Sequence, residues 1–455
     1  MHQAKRKSKN MSTTTYSKSY KHYVLFILTG VYAFNFIDRQ ILVILQEPIK
    51  ADLDLSDTQL GLLTGFAFAL LYVTLGLPIA RYADKNNRKN VVSISLVVWS
   101  AMTALSGMAQ NFIQLLLARV GVGVGEAGGS PPAHSIISDY YEPEKRATAL
   151  SIYSTGVYIG IGLGFLIGGV IAQNYGWRMA LYSLGIPGIL YAVVVYFTIK
   201  EPIKGRMDAT ASDEKELSFK EVVNILLGKK TFVFLSLATG FQAFGNYAVG
   251  NWLAPFLGRS HGMDLATIGI ILGLIAAFAG GSGTFMGGYL TDKMAKKDIR
   301  WYFWLPALAI LLNIPIAVFV FFAKNTQAIL VMTAVSYFLS ALYLGPAIGI
   351  THNLVPAKMR AFASAVLFFV LNTIGLGFGP LVIGMVSDWL EPTYGTDALR
   401  WAFTCTFMTG IIAAVFLYMA ARHYKNDLNE KKIFEKKMAD KDIIDHLIPP
   451  KKDNL

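Results

Sequence analysis

An all-helical integral membrane protein, with twelve spanning helices in two pseudo-symmetric six-helix bundles, is the fold class this sequence predicts. Three observations predict it. The composition is 54% hydrophobic and 13% aromatic but only 15% charged over 455 residues. Apolar runs long enough to cross a bilayer, roughly 20 residues each, recur along the whole chain. A short charged motif occurs twice, once in each half.

The runs fall at about 23–45, 60–80, 90–109, 111–133, 147–172, 179–199, 231–257, 267–290, 302–323, 327–350, 361–388 and 400–422. The layout that follows is a tail (1–22), six helices (23–199), a polar linker (200–230), six more helices (231–422) and a second tail (423–455). The basic leader lacks a cleavable signal pattern, and the first apolar run is long enough to span and stay. Met11, inside that leader, is an alternative start. Cys405 is the one cysteine, so no internal disulfide and no cysteine-based metal site are expected.

The net charge of +12 does not point to nucleic acid, because the basic residues sit in the tails and in alternate loops. Lys5, Arg6, Lys7, Lys9, Lys18 and Lys21 precede the first span; Arg81, Lys85, Arg88 and Lys89 follow the second; Lys145 and Arg146 follow the fourth. The segment from Lys200 to Lys230 is also charged, whereas the opposite loops hold one basic residue at most. By the positive-inside rule both termini are expected on the cytoplasmic side of a cell inner membrane. Trp177, Trp389 and Trp401 near one boundary and Trp301 and Trp304 near the other fit an interfacial belt. The tail beyond Arg422, rich in Lys and Glu, is expected to form a short amphipathic cytoplasmic helix.

Ala80-Arg-Tyr-Ala-Asp84-Lys85-Asn-Asn-Arg88-Lys89 follows the second span, and Gly288-Tyr-Leu-Thr-Asp292-Lys293-Met-Ala-Lys296-Lys297 follows the eighth. Pro143-Glu-Lys-Arg146 before the fifth span is echoed by Pro356-Ala-Lys-Met-Arg360 before the eleventh. Two related six-helix units with substrate bound between them at mid-membrane is the layout of a rocking transporter.

The loop after span two resembles the signature of the major facilitator superfamily, although Ala80 and Asn87 replace glycines usual there. The resemblance covers essentially the whole chain and implies that superfamily's fold. It also implies a conformational latch between the bundles at Asp84, Lys85, Arg88, Asp292, Lys293 and Arg146. Leu117-Ala-Arg119-Val-Gly-Val-Gly-Val-Gly-Glu126 resembles the superfamily's fourth-span motif, whose arginine is tied to proton coupling. The glycine-rich stretches at Tyr158–Gly164 and Gly375–Pro380 look like its hinge motif. Phe34-Asn-Phe-Ile-Asp38-Arg39-Gln40, with the run from Arg119 to Gly128, is similar to the spinster family of lysolipid and sphingosine-1-phosphate transporters, bacterial members included.

Four ionisable residues inside apolar spans locate the chemistry: Asp38, Arg39, Arg119 and Glu126. An unpaired charge at mid-bilayer costs about 3 kcal/mol on insertion scales, so such groups face a partner or a wet cavity. Counting roughly 1.5 Å per residue puts Asp38 and Arg119 at similar depth, within reach of each other, with Glu126 about two turns deeper. Arg39 lies about 100° round its helix from Asp38, facing a different partner. A guanidinium favours bidentate contact with phosphate or carboxylate. A carboxylate that loses its cationic partner in a poorly solvated cavity tends to take up a proton. Arg39 and Arg119 are therefore expected to hold an anionic head group, and Asp38 or Glu126 to carry a proton. A static set of ion pairs between spans one and four is the plainer alternative.

The second half offers amides and hydroxyls instead: Gln242, Asn246, Asn251, Tyr337, Tyr343, Asn372 and Thr373, with Asn246, Tyr343 and Asn372 assigned to substrate binding. A cavity charged on one wall and mostly apolar on the other suits an amphipathic anion. His134 and His352 are expected near helix ends.

Gly123-Val-Gly-Glu-Ala-Gly128 matches a dinucleotide fingerprint by letter, but it lies in an apolar helix with no preceding strand. There its glycines serve close packing and bending, and Ser130-Pro131-Pro132 weakens the helix beyond. No nucleophile elbow, metalloprotease motif or nucleotide loop stands in context, so no enzyme, cofactor or metal is expected. The expected function is monomeric, proton-linked secondary transport of a lysolipid-like anion across the lipid bilayer. The alternatives are exchange of small organic anions or drugs, and a passive scramblase-like lipid pathway.

Overall fold

A computed structural model describes residues 16–205, 219–356 and 359–447. Lys5, Arg6, Lys7, Lys9, Met11 and the middle of the linker lie outside the described residues. The spans are α1 (Lys18–Ile44), α2 (Asp57–Lys85), α3 (Arg88–Ser106), α4 (Phe112–Glu126, resuming as Ser130–Tyr140), α5 (Pro143–Tyr175) and α6 (Trp177–Thr198). The second six are α7 (Lys230–His261), α8 (Leu265–Ala295), α9 (Trp301–Phe322), α10 (Thr326–Leu354), α11 (Arg360–Leu371, continuing to Tyr394) and α12 (Thr404–Leu447).

Local chemistry sets where the spans begin. Ser56 and Gln59 form a capping box at the start of α2. Asn87, Asn111, Asp264 and Asn325 accept backbone N–H groups at the starts of α3, α4, α8 and α10. Each satisfies a donor that the first helical turn leaves free. Gly262, at φ 62°, ends α7 in a left-handed turn open to glycine.

Among the described residues, ten uninterrupted runs are long and apolar enough to cross a membrane, against the twelve spans expected. Two local features account for the difference. α4 breaks at Ala127–Gly129, just before the Ser130-Pro131-Pro132 step, so neither piece is long enough alone. α11 and α12 are joined by helical turns at Gly395–Asp397 and Ala398–Ala402, so they form one run. α12 is also longer than expected. In place of a separate tail helix it continues unbroken to Leu447, and Asp427 within it is buried, accepting the Thr231 N–H at the start of α7.

Among the described residues, three spans contain a π-helical turn: Leu62–Phe66 in α2, Ile275–Gly280 in α8 and Asn372–Phe378 in α11. All three lie where the halves meet. A Cβ on Gly61 would sit 2.5 Å from the Pro380 carbonyl, and one on Gly65 2.9 Å from that of Leu376. Such turns mark functional positions in helices more often than chance.

The buried cores show which end of the molecule is shut. One apolar cluster, at the end opposite the termini, is shared by both halves, joining Leu42, Leu45, Leu63 and Phe165 to Trp252, Phe256, Phe321 and Phe403. At the terminal end each half has a core dominated by its own residues, one around Trp99, Tyr140 and Tyr153, the other around Phe303, Leu417 and Tyr424. The halves are closed together at the end away from the termini.

Candidate functional site

α1 and α4 bring the four intramembrane charges together. Arg39 Nε donates to Glu126 Oε2 at 2.6 Å, with the Glu126 side chain fully buried. The Arg39 guanidinium lies 5.0, 4.8 and 4.6 Å from the ring centres of Phe36, Phe68 and Tyr72. An aromatic face attracts a cation by up to about 2 kcal/mol when desolvated. The ion pair and the rings therefore hold this charge jointly. Tyr247 of α7, in the other half, lies near enough to feel the charge of both partners.

The pairing differs from the one expected. Arg119 Nη1 donates to the backbone carbonyl of Asp38 at 3.3 Å, and neither Asp38 carboxylate oxygen has a hydrogen-bond partner of normal geometry. The Asp38 side chain is fully buried beside Thr103 and Trp99. Depth counted along an ideal axis placed Asp38 opposite Arg119 correctly. It could not say which face each side chain takes, and the deeper Glu126 meets Arg39 instead.

On the second half, Asn246 accepts from Gln242 Nε2 at 3.0 Å and donates to the Ser340 carbonyl at 3.1 Å. Tyr343 lies beside Asn246, Tyr158 and Tyr247. Asn372 opens the π turn of α11 and is half-buried. Asn251 donates to the Tyr247 carbonyl at 2.8 Å. His352 pairs with Ser364 at 2.8 Å, and His134 is exposed with its ring edge-on to Tyr153.

Of the residues expected to latch the bundles, Arg88 and Asp292 contact partners in their own halves. Arg88 is buried, donating to Asp139, Glu201, Ser135 and the Pro202 carbonyl at 2.5–3.0 Å. Asp84, Lys85 and Lys293 are exposed, and the Asp84 carbonyl accepts from Lys204. Asp292 accepts from Tyr302 at 2.7 Å, and Arg146 is half-buried. Exposed Glu142, held by Lys145 at 3.0 Å, is shifted below the usual carboxylate range.

A second charged cluster was not anticipated. Arg259 of α7 contacts Glu47 and Asp57 of the first half at 2.6–3.0 Å, and Lys50 joins Asp57 at 2.6 Å. Asp388 of α11 accepts the N–H groups of Asp57 and Thr58 at 2.9 and 2.7 Å. Tyr72, Phe68 and Tyr247 were likewise missed as neighbours of Arg39. Among the described residues no group of His, Cys, Asp and Glu is placed to hold a metal ion.

This assembly, two arginines and two carboxylates enclosed by aromatic rings where two helical halves meet, can hold an anion and exchange a proton without any covalent step. The family model of the Major Facilitator Superfamily matches residues 28–370. The chain is 32% identical over 411 residues to an MFS-type efflux pump of Mycolicibacterium smegmatis, covering 89% of this chain and 94% of that one. It is 27% identical to protein spinster homolog 3 of Danio rerio, covering 91% and 88%. The crystal structure of a bacterial homolog of the human lysosomal transporter Spinster, inward-facing and unoccupied, superposes with a TM-score of 0.84 at 34% identity, covering 90% of this chain and 99% of that chain.

Proposed function

The chain belongs to the major facilitator superfamily, a family of multi-pass membrane transporters rather than enzymes, and we propose that it moves a lysophospholipid-like or sphingosine-phosphate-like anion by proton-coupled alternating access. The observation that carries this is the Arg39–Glu126 pair, 2.6 Å apart, buried where the halves meet and enclosed by three aromatic rings. An anionic head reaching Arg39 and Arg119 competes with Glu126 for the guanidinium, which favours phosphate or carboxylate in bidentate contact. Glu126, deprived of that partner in a dry site, takes a proton. Asp38, buried with both oxygens unpaired, is the second proton carrier. Asn246, Tyr343 and Asn372 contact substrate from the other half.

In this reading the termini are cytoplasmic, the membrane is the cell inner membrane and the working unit is a monomer. The terminal-side groups Asp84, Lys85, Arg88, Arg146, Asp292 and Lys293 latch that end when the opposite end opens. Similarity to a sphingosine-1-phosphate transporter of Danio rerio, 25% identical over 88% of this chain, supports the lipid substrate. A second reading, small organic anions, is favoured by similarity to a hexuronate transporter of Bacillus subtilis and a cis,cis-muconate transport protein of Acinetobacter baylyi, each 26% identical.

The test is uptake of labelled sphingosine-1-phosphate and a lysophospholipid into proteoliposomes under an imposed pH gradient, with Glu126→Gln and Arg119→Ala alongside wild type. Gradient-stimulated lipid uptake that Glu126→Gln abolishes in folded protein supports the proposal. Lipid flux no faster than in empty vesicles, with hexuronate or muconate flux above it, replaces it with the second reading.

A further inference from the structure

His134 lies four residues past Ser130 in the second piece of α4, between Glu126 and the terminal end, where each half keeps its own core. Its side chain is exposed, and its ring stands edge-on to that of Tyr153 in α5, centres 5.0 Å apart. Tyr153 is buried and stacks on Tyr32 of α1 at 4.5 Å. Tyr32 meets Phe36 edge-on at 5.3 Å, and the Phe36 ring centre is 5.0 Å from the Arg39 guanidinium that holds Glu126. A continuous row of ring contacts thus runs from an exposed imidazole to the buried ion pair. His22, His261 and His352 each have a hydroxyl beside a ring nitrogen. No hydrogen bond among the described residues occupies the His134 nitrogens, which leaves them to solvent.

The rings fix the spacing, and the hydroxyls carry the chemistry. Ser130, one turn beyond Glu126 across the break in α4, neighbours the hydroxyls of both Tyr32 and Tyr153. A hydroxyl donates one hydrogen bond and accepts others, so each of the three can take a proton on one side and release one on the other. At the far end, Glu126 Oε2 is engaged by Arg39, whereas Oε1 is buried and unpaired. The carboxylate has one oxygen in the ion pair and one left for a proton. Facing His134, Tyr153 and, behind it, Tyr32 are the titratable groups, and Tyr72 of α2 is near both tyrosines. Arg88 of α3 and Asp139, further along the same helix piece, are paired with each other. Among the described residues no charged side chain acts on His134.

Resting on the proton-coupled reading above, we propose that His134 is the proton port of the terminal side, passing a proton between solution and Glu126 Oε1 by way of Tyr153, Ser130 and Tyr32. An imidazole, with an unperturbed pKa of about 6.5, loads and unloads near neutral pH. In the inward step an N–H bond of the imidazolium breaks, each hydroxyl gains one proton and gives up another, and the Glu126 carboxylate becomes the carboxylic acid. Release runs through the same steps in reverse. The test gives labelled lysophosphatidic acid to the full chain in proteoliposomes. It compares uptake driven by a pH gradient with exchange at equal pH, which needs no net proton movement. His134→Gln is expected to lower gradient-driven uptake at least about tenfold relative to exchange, since positioned proton transfer is worth at least that much. Tyr153→Phe keeps both ring contacts and is expected to act in the same direction. His134→Ala is expected to regain gradient-driven uptake when imidazole is added, a rescue that misfolding does not mimic. If His134→Gln leaves the ratio at its wild-type value, the port is elsewhere and the proton-coupled reading stands. Equal loss of uptake and exchange without rescue by imidazole makes His134 a packing residue and overturns the proposal, and a wild-type ratio in Tyr153→Phe overturns the route. If wild type shows no gradient stimulation, the port and the proton-coupled reading fall together.

Discussion

Arg259, in the last turn of α7, holds Asp57, the first residue of α2, through two contacts of 2.6 and 2.7 Å. Ser387 of α11 donates to the same carboxylate at 2.7 Å, while Asp388 caps the first turn of α2. The N-terminus of α2, where the helix dipole favours negative charge, is therefore held by two helices of the other half. This cluster and the shared apolar core lie at the same end, and both must part before that end can open.

Arg259→Gln removes the guanidinium but leaves Lys50 and Ser387 on Asp57. The loss is then smaller than the roughly 3–5 kcal/mol of stranding a buried charge, about 2 kcal/mol against the closed arrangement. The expected outcome is a longer distance between spin labels at Tyr175 and Lys324, both exposed at this end, measured by double electron–electron resonance. An unchanged distance distribution denies the cluster a gating role.

α5 and α8 touch through glycine. A Cβ on Gly169 would lie 2.6 Å from the Leu265 carbonyl and 3.1 Å from the Gly269 Cα, so Gly169→Leu wedges the closed end apart. Overpacking costs typically about 1–3 kcal/mol. Lower thermal stability together with a longer Tyr175–Lys324 distance is expected; a stable variant with the wild-type distance contradicts it.

Gln46 sits at the break after α1, fully buried, its amide nitrogen and oxygen both without a hydrogen-bond partner. Its neighbours Leu45 and Ile49 belong to the shared apolar core. An unsatisfied buried amide costs about 1–3 kcal/mol, a penalty on the closed end that water relieves when the halves part. Gln46→Leu is expected to raise the midpoint of thermal unfolding and to slow turnover by stabilising the closed end. A variant less stable than wild type reverses the assignment.

The spans and the charged centre were legible in the sequence because both are rare patterns: long apolar runs have one common use, and Asp38, Arg39, Arg119 and Glu126 interrupt them. The Arg259 cluster was not, since Glu47, Asp57 and Asp388 lie at span ends where charges are ordinary. The available signal was Arg259 itself, a basic residue on the side where loops are poor in them. The Arg39–Glu126 pairing was hidden for another reason. Rise per residue gives depth, whereas partner choice depends on helix azimuth and on the break in α4 after Glu126, neither of which periodicity fixes.

Arg39→Lys and Arg39→Gln separate charge from shape at the central pair. Lysine keeps the charge but is a compact ammonium without the planar fork, unable to stack on Phe36, Phe68 and Tyr72 as a guanidinium does. Losing that stacking, worth about 1–2 kcal/mol, is expected to lower anion uptake about tenfold while gradient stimulation survives, because Glu126 still has a cation. Glutamine leaves Glu126 buried without its ion-pair partner, a state costing about 3–5 kcal/mol if the carboxylate stays ionised. The carboxyl is then expected to hold its proton throughout the cycle, and uptake to become indifferent to the pH gradient. Labelled lysolipid uptake with and without the gradient reads both variants. Equal loss of stimulation in the two would mean that guanidinium geometry, and not charge alone, sets the proton step.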